Sequence, residues 1–212
     1  MEKLENIVYF LYNSMYLNIT NTCPNACDFC IRNKTDSINE TNLWLKREPE
    51  TGEIISAIKD PGSYEEVVFC GYGEPLVRLD TVIGVCTYLR QYKVPIRINT
   101  NGLANLIHNK NIVPQLISLV DYISISLNAE SAEKYNKVCY SKFGLDAFPA
   151  MLEFTRLCRD SFVSPEKGRF VKYPVTLTVV DLPQIDLAAC EKIAQELNVP
   201  LRVRNFLPKG YN

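Results

Sequence analysis

Apolar residues in this chain recur in two rhythms. The first is a short run rich in β-branched and aromatic residues, met six times: "MYLNIT" (15–20), "EVVFC" (66–70), "PIRINT" (95–100), "DYISISL" (121–127), "PVTLTVV" (174–180) and "LRVRNF" (201–206). The second is helical spacing in the segments between. In "DLAACEKIAQELN", Leu187, Cys190, Ala194 and Leu197 share one face, with Asp186 placed as the cap. "LDTVIGVCTYLRQY" repeats the pattern with Leu79, Val82, Val85 and Leu89. "LDAFPAMLEFTRLCR" (145–159) is a further helix, whose Pro149 is tolerable only near its first turn. An earlier run, "IVYFLY", is separated from the first strand by Asn13-Ser14, a turn pair, so a hairpin is expected to open the chain. Strand–helix alternation repeated six times predicts a parallel sheet with right-handed crossovers, as an open doubly wound sheet or as a barrel. In both, function belongs at the C-terminal ends of the strands.

Length and composition narrow the classes. A chain of 212 residues with 47% apolar and 22% charged residues is that of one globular domain, taken here as 1–212. Net charge is −1, so no overall field draws the chain to nucleic acid or to an anionic membrane. Its apolar stretches are too short to span a bilayer, and "MEKLENIVYF" lacks the basic-then-apolar plan of a signal peptide. A cytoplasmic location with reduced cysteines is the expectation, and close thiols there point to a metal or redox site. Residues 31–48 are polar and pattern-poor; a connection of that length is expected to be functional, covering the site and ordering with ligand, with Trp44 as a platform or an anchor.

Three of the eight cysteines, Cys23, Cys27 and Cys30, are spaced C-x3-C-x2-C directly after the first main strand. A structural zinc wants four closed ligands, but the chain has one histidine, His108, and no second close cysteine pair. A redox C-x2-C reading of Cys27 and Cys30 leaves Cys23 unexplained. An iron–sulfur cubane held by three thiolates accounts for all three and leaves one iron open for chemistry. Cys139 is a spare buried thiol or, less simply, a hydrogen donor near the site. "GYGEP" (71–75) and "NTNG" (99–102) fall at the next two strand ends, although each alone is an ordinary turn.

Taken in order, these motifs resemble the radical S-adenosylmethionine (radical SAM) superfamily. "CPNACDFC" is similar to its C-x3-C-x-aromatic-C signature with Phe29 as the aromatic, and "GYGEP" resembles its Gly-Gly-Glu-Pro-type motif with Tyr72 between Gly71 and Gly73. "NTNG" and "SISLN" resemble its third and fourth strand ends, and the whole looks most like a small subgroup associated with TatD-type hydrolases. The resemblance implies a partial (β/α)6 TIM-like barrel, a 4Fe-4S cluster and S-adenosylmethionine (SAM). Cys23, Cys27 and Cys30 would be the catalytic cluster ligands. Gly71 and Gly73 would let backbone approach the methionine, and Glu74 would accept from its ammonium group. Ser126 and Asn128, with Asn99 and Asn101 as weaker candidates, would bind the carboxylate or ribose. Phe29, Val180, Arg204 and Phe206 would lie near the adenine. The implied reaction is reductive cleavage of SAM to a 5'-deoxyadenosyl radical that takes hydrogen from a substrate, a small molecule or a macromolecule. The electron would come from a donor of flavodoxin or ferredoxin type. An activating enzyme of a glycyl-radical protein, an RNA-modifying enzyme, and a non-catalytic iron–sulfur carrier or sensor are the alternatives.

Overall fold

The computed structural model describes residues 6–38, 40–162 and 173–206. The opening hairpin is formed by β1 (Val8–Leu11) and β2 (Ser14–Leu17), turning through Tyr12, which adopts φ +52°. A two-stranded hairpin, β3 (Ser37–Ile38) and β4 (Thr41–Asn42), and helix α1 (Thr51–Ala57) follow. Then come β5 (Glu66–Phe69), α2 (Leu79–Leu89), β6 (Ile96–Thr100), α3 (Ala104–His108) and α4 (Val113–Leu116). The remainder is β7 (Tyr122–Ser126), α5 (Ala132–Cys139), α6 (Ala147–Ser161), β8 (Val175–Asp181), α7 (Leu187–Glu196) and β9 (Leu201–Asn205). Asp186 caps α7 by accepting from the Ala189 amide, and Pro149 is the third residue of α6, where its missing N–H breaks no helical bond.

One seven-stranded sheet runs β1-β2-β5-β6-β7-β8-β9, parallel throughout except for the antiparallel β1 edge. Each crossover carries helix, and the strands alternate in burial. Met15, Leu17, Val67, Phe69, Ile96, Ile98, Ile123, Ile125, Val175, Leu177 and Val179 point to the helical layer and are buried there in one apolar core. Most of the alternate positions (Tyr16, Glu66, Arg97, Asn99, Ser124, Ser126, Thr176, Arg202, Arg204) are polar and half-exposed or exposed on the opposite face, with Val68 and Val180 as apolar members. A doubly wound sheet would cover that face with helices and make it apolar. Here the face is concave. Lys34, just past the cysteines, lies 5.8 Å from the ring centroid of Phe206 at the end of β9, so the far edge of the sheet curls back toward β2. The fold is the partial barrel that the motifs imply.

β2 stops at Leu17, short of the expected Thr20, for a local reason. Beyond it, side-chain amides replace the ladder: Asn18 Nδ2 donates to the Leu43 carbonyl at 2.7 Å, and Asn21 bonds both the carbonyl and the amide of Leu45, at 2.7 and 3.2 Å.

Candidate functional site at the barrel mouth

The cysteine loop leaves β2 and is held from three sides. The Ala26 and Asp28 amides donate to the carbonyls of Cys139 and Val138 at the end of α5, at 2.9 and 3.1 Å, and the Lys142 amide returns to the Pro24 carbonyl at 2.9 Å. Arg32 folds back to donate to the Asn25 and Asn21 carbonyls at 3.2 and 3.5 Å. Asn25 is buried and donates to the Tyr135 hydroxyl at 2.9 Å. Within this frame Cys23, Cys27 and Cys30 are half-buried free thiols at the open end of the barrel, while Phe29 packs against the main core.

Their electrostatics are consistent with being close together. Burial, and after it the charge of Glu74, push Cys23 up to about 12. Contact with the buried Cys139 thiol, then burial, raises Cys27; burial raises Cys30. The Arg32 guanidinium acts against burial on all three. Ligation needs thiolates, so metal loading must release protons, and Arg32 is the cation that eases this. Among the described residues, no three His, Cys, Asp or Glu side chains gather as one metal ion requires. A cubane offers a separate iron to each thiolate, so its ligands surround a body rather than a point. The three-thiol donor set fits a 4Fe-4S cluster better than a mononuclear ion.

"GYGEP" follows β5 and meets the cysteine loop edge to edge. A Cβ on Gly71 would stand 2.0 Å from Asn18 Oδ1, and one on Gly73 would stand 2.4 and 2.7 Å from the Thr20 and Thr22 carbonyls. The glycines therefore admit the chain's own neighbouring strand end, a reason distinct from the close ligand approach expected of them. The Glu74 amide completes the junction by donating to the Thr22 carbonyl at 2.9 Å. Tyr72 is buried against Leu43 and Tyr9, donates its hydroxyl to the Thr35 carbonyl, and meets the Trp44 ring edge-on at 5.1 Å between centroids. Trp44 in turn donates Nε1 to Asp36 at 2.8 Å. Among its described residues, the 31–48 segment thus carries the short β3–β4 hairpin, held against Tyr72 through Leu43, Thr35 and Trp44.

Glu74 is 3% exposed, and its carboxylate joins two strand ends. Oε1 accepts from Thr100 Oγ1 at 2.7 Å and the Leu76 amide at 3.1 Å; Oε2 accepts from the Asn101 amide at 2.7 Å. Burial pushes the carboxyl up to about 7 against the pull of these three donors. Of the roughly four acceptor positions of a carboxylate, one on Oε2 is left. Asn101 is buried with its Nδ2 3.8 Å from Cys23 Sγ, the direct link between "NTNG" and the cysteines. Asn99 accepts from Arg97 at 2.7 Å on the inner face. Ser126 ends β7 on that face, and Asn128 just beyond adopts φ +59°, with Nδ2 3.7 Å from Cys139 Sγ and a buried Oδ1 that has no partner. Val180 and Arg204 are in register on β8 and β9, and Phe206 follows. The mouth therefore gathers the cysteines, Glu74, Asn101 and Asn128; Arg204 and Phe206 reach it across the barrel. Arg32 and the Tyr135–Asn25 pair went unremarked in the sequence, where only the placement of a cation two residues past the last cysteine hints at Arg32.

A parallel partial barrel with thiols and a buried acid at its carboxyl mouth defines an α/β-barrel enzyme whose ligands bind at that end. The chain belongs to the Radical SAM superfamily, which it matches over residues 17–163. It is 26% identical over 208 residues to a "Probable GTP 3',8-cyclase" of Methanocaldococcus jannaschii, covering 93% of this chain and 62% of that relative. Among solved structures it resembles Streptococcus suis SuiB (TM-score 0.60, 16% identity, covering 95% of this chain and 40% of SuiB). It also resembles SuiB bound to S-adenosylmethionine (TM-score 0.63, 14% identity, covering 92% and 41%). The chain spans less than two thirds of each of these proteins. The matches reach the superfamily and leave the TatD-associated subgroup untouched. Members of the Radical SAM superfamily bind a 4Fe-4S cluster and SAM and cleave SAM reductively. No helix among the described residues is long and apolar enough to cross a membrane.

Proposed function

We propose that Cys23, Cys27 and Cys30 hold the 4Fe-4S cluster and that SAM lies across the mouth between the "GYGEP" turn and the ends of β7 to β9. When bound, the pair supplies an electron and a 5'-deoxyadenosyl radical that removes a hydrogen atom from the substrate. The chain's own residues bind and orient. Arg32 steadies the thiolates, and Asn101 donates toward Cys23. Glu74, with one acceptor position left on Oε2, takes the SAM ammonium group, while the carbonyls of the "GYGEP" turn flank it. Asn128 Oδ1 and the Ser126 hydroxyl take the ribose, and Val180 and Phe206 border the adenine. The observation that carries this reading is the bridge from Glu74 through Asn101 to Cys23, which joins three strand-end motifs in one contact chain. The electron donor in this reading is a flavodoxin or ferredoxin. The likeness to a probable GTP 3',8-cyclase makes GTP the first substrate to try.

Anaerobic reconstitution followed by dithionite and SAM tests the reading. Slow formation of 5'-deoxyadenosine is expected even without substrate. A protein with a full cluster that forms none would turn the assignment toward an electron carrier or sensor.

A further inference from the structure

The concave face of the sheet divides into two halves. On β2, β5 and β6 its polar groups satisfy one another. Arg97 donates to Glu66 through Nε and Nη2 at 2.9 and 2.6 Å and to Asn99 at 2.7 Å, and Ser14 donates to Glu66 at 3.3 Å. The bonds to Glu66 hold the Arg97 charge firmly in spite of burial. On β7, β8 and β9 the same face is unsatisfied. The side chains of Ser124, Ser126, Thr176, Thr178, Arg202 and Arg204 make no hydrogen bond or ion pair among the described residues. They form one patch, because Ser124 is in register with Thr176, Ser126 with Thr178, Thr178 with Arg202 and Val180 with Arg204. Thr178 is buried as a residue, and its hydroxyl makes no hydrogen bond among the described residues and keeps access to the barrel interior.

Arginines on an edge strand have an ordinary use, which is to block pairing with another sheet. Two observations exceed it here. By register the two arginines stand on the same face as a row of unengaged hydroxyls. Glu66, the acid on this face, is already matched by Arg97, so neither arginine has an ion-pair partner among the described residues. Arg204 stands in the open barrel, yet partial desolvation and the neighbouring charges of Arg202 and Arg97 weaken its hold on its proton. An anion between the guanidiniums relieves that repulsion.

We infer that this half of the barrel interior binds the substrate, and that the substrate is a small acidic molecule presenting a phosphate or carboxylate group to Arg202 and Arg204. Its other oxygen atoms bond to the hydroxyls of Ser124, Thr176 and Thr178. Arg202 sits one step deeper than Arg204, which also borders SAM. The inference rests on the strand-end reading of the SAM site, since it assigns the positions below that site.

Calorimetry on the cluster-loaded protein with SAM present, under anaerobic conditions and at fixed ionic strength, tests it with inorganic pyrophosphate and with succinate. At least one is expected to bind, and the tighter of the two names the acidic group. Arg202→Gln should weaken that binding roughly tenfold or more, the loss of a charge-assisted pair, with Arg202→Lys in between. Lys192→Gln, exposed on α7 behind the sheet, should leave it unchanged. No binding of either anion to the wild type, or equal binding to Arg202→Gln, overturns the inference. Iron content and SAM affinity, measured on the same preparations, report on the mouth: their failure in the wild type sinks the SAM assignment, while the anion titration still decides the barrel interior.

Discussion

Glu74→Gln sets two properties of one side chain against each other. In the wild type, burial raises the carboxyl from 4.5 to about 7, so between these values the folded chain holds a proton that the unfolded chain has lost. The sign follows from linkage: stability falls as pH rises through this window, by about 3 kcal/mol in all, the product of the shift and 1.36 kcal/mol per pH unit. Glutamine has no such dependence. It does place an amide NH2 where Oε2 stood, facing the Asn101 amide donor, and a buried donor without an acceptor costs about 1–3 kcal/mol. Near pH 5 the variant should therefore be less stable than the wild type by that amount, and near pH 8 the difference should shrink to about zero or reverse. Urea unfolding of the reduced, cluster-free chain at both pH values measures the change, and taking the difference between variants cancels every other titrating group. A wild-type-minus-variant difference that stays flat with pH would refute the reasoning. It would mean that Thr100, Leu76 and Asn101 keep the carboxylate ionised throughout.

Replacing Cys23, Cys27 and Cys30 together by Ala should reduce iron to background after reconstitution. Cys86→Ala and Cys190→Ala, thiols sealed in the apolar core, should keep about four irons per chain by colorimetric assay. Gly71→Ala and Gly73→Ala should each lower the melting temperature, because the first Cβ meets the buried, hydrogen-bonded Asn18 and the second meets two backbone carbonyls; overpacking of this kind costs about 1–3 kcal/mol, and an unchanged melting temperature in either would contradict the junction described. Tyr72→Phe removes the bond to the Thr35 carbonyl, worth about 1 kcal/mol. Limited proteolysis should then cut residues 31–48 faster with iron content unchanged.

The six parallel strands were legible because each carries enough β-branched residues between turn signals. The choice of a barrel over a doubly wound sheet was legible too, in a place that strand counting passes over. "PIRINT", "DYISIS", "VTLTV" and "LRVRN" alternate polar with apolar, which a parallel sheet buried on both faces does not tolerate. Residues 31–48 were opaque for the opposite reason. Their anchors, Leu43 and Leu45, are two apolar positions in a polar run, and what they meet (Asn18, Asn21, Tyr72) lies at other strand ends. The three motifs announced the site, but not that the glycines also make room for residues 18–22, nor that the donors to Glu74 include Thr100 and Asn101 in "NTNG". Such pairings are tertiary, so no local spacing encodes them. The same holds for Cys139, whose contact with Cys27 depends on where α5 ends.

That ending of α5 bears on how the enzyme is assembled. Its carbonyls, with Arg32 and Pro24, fix the cysteine loop through bonds that use no sulfur atom. In a zinc finger the ion supplies the folding energy, and apo chains are unfolded. Here the polypeptide itself bonds the loop to α5 and to residues 140–142, so a cluster-free chain should keep more of the loop's shape than an apo zinc finger does. Slow hydrogen exchange at the Ala26, Asp28 and Lys142 amides after iron removal would show it.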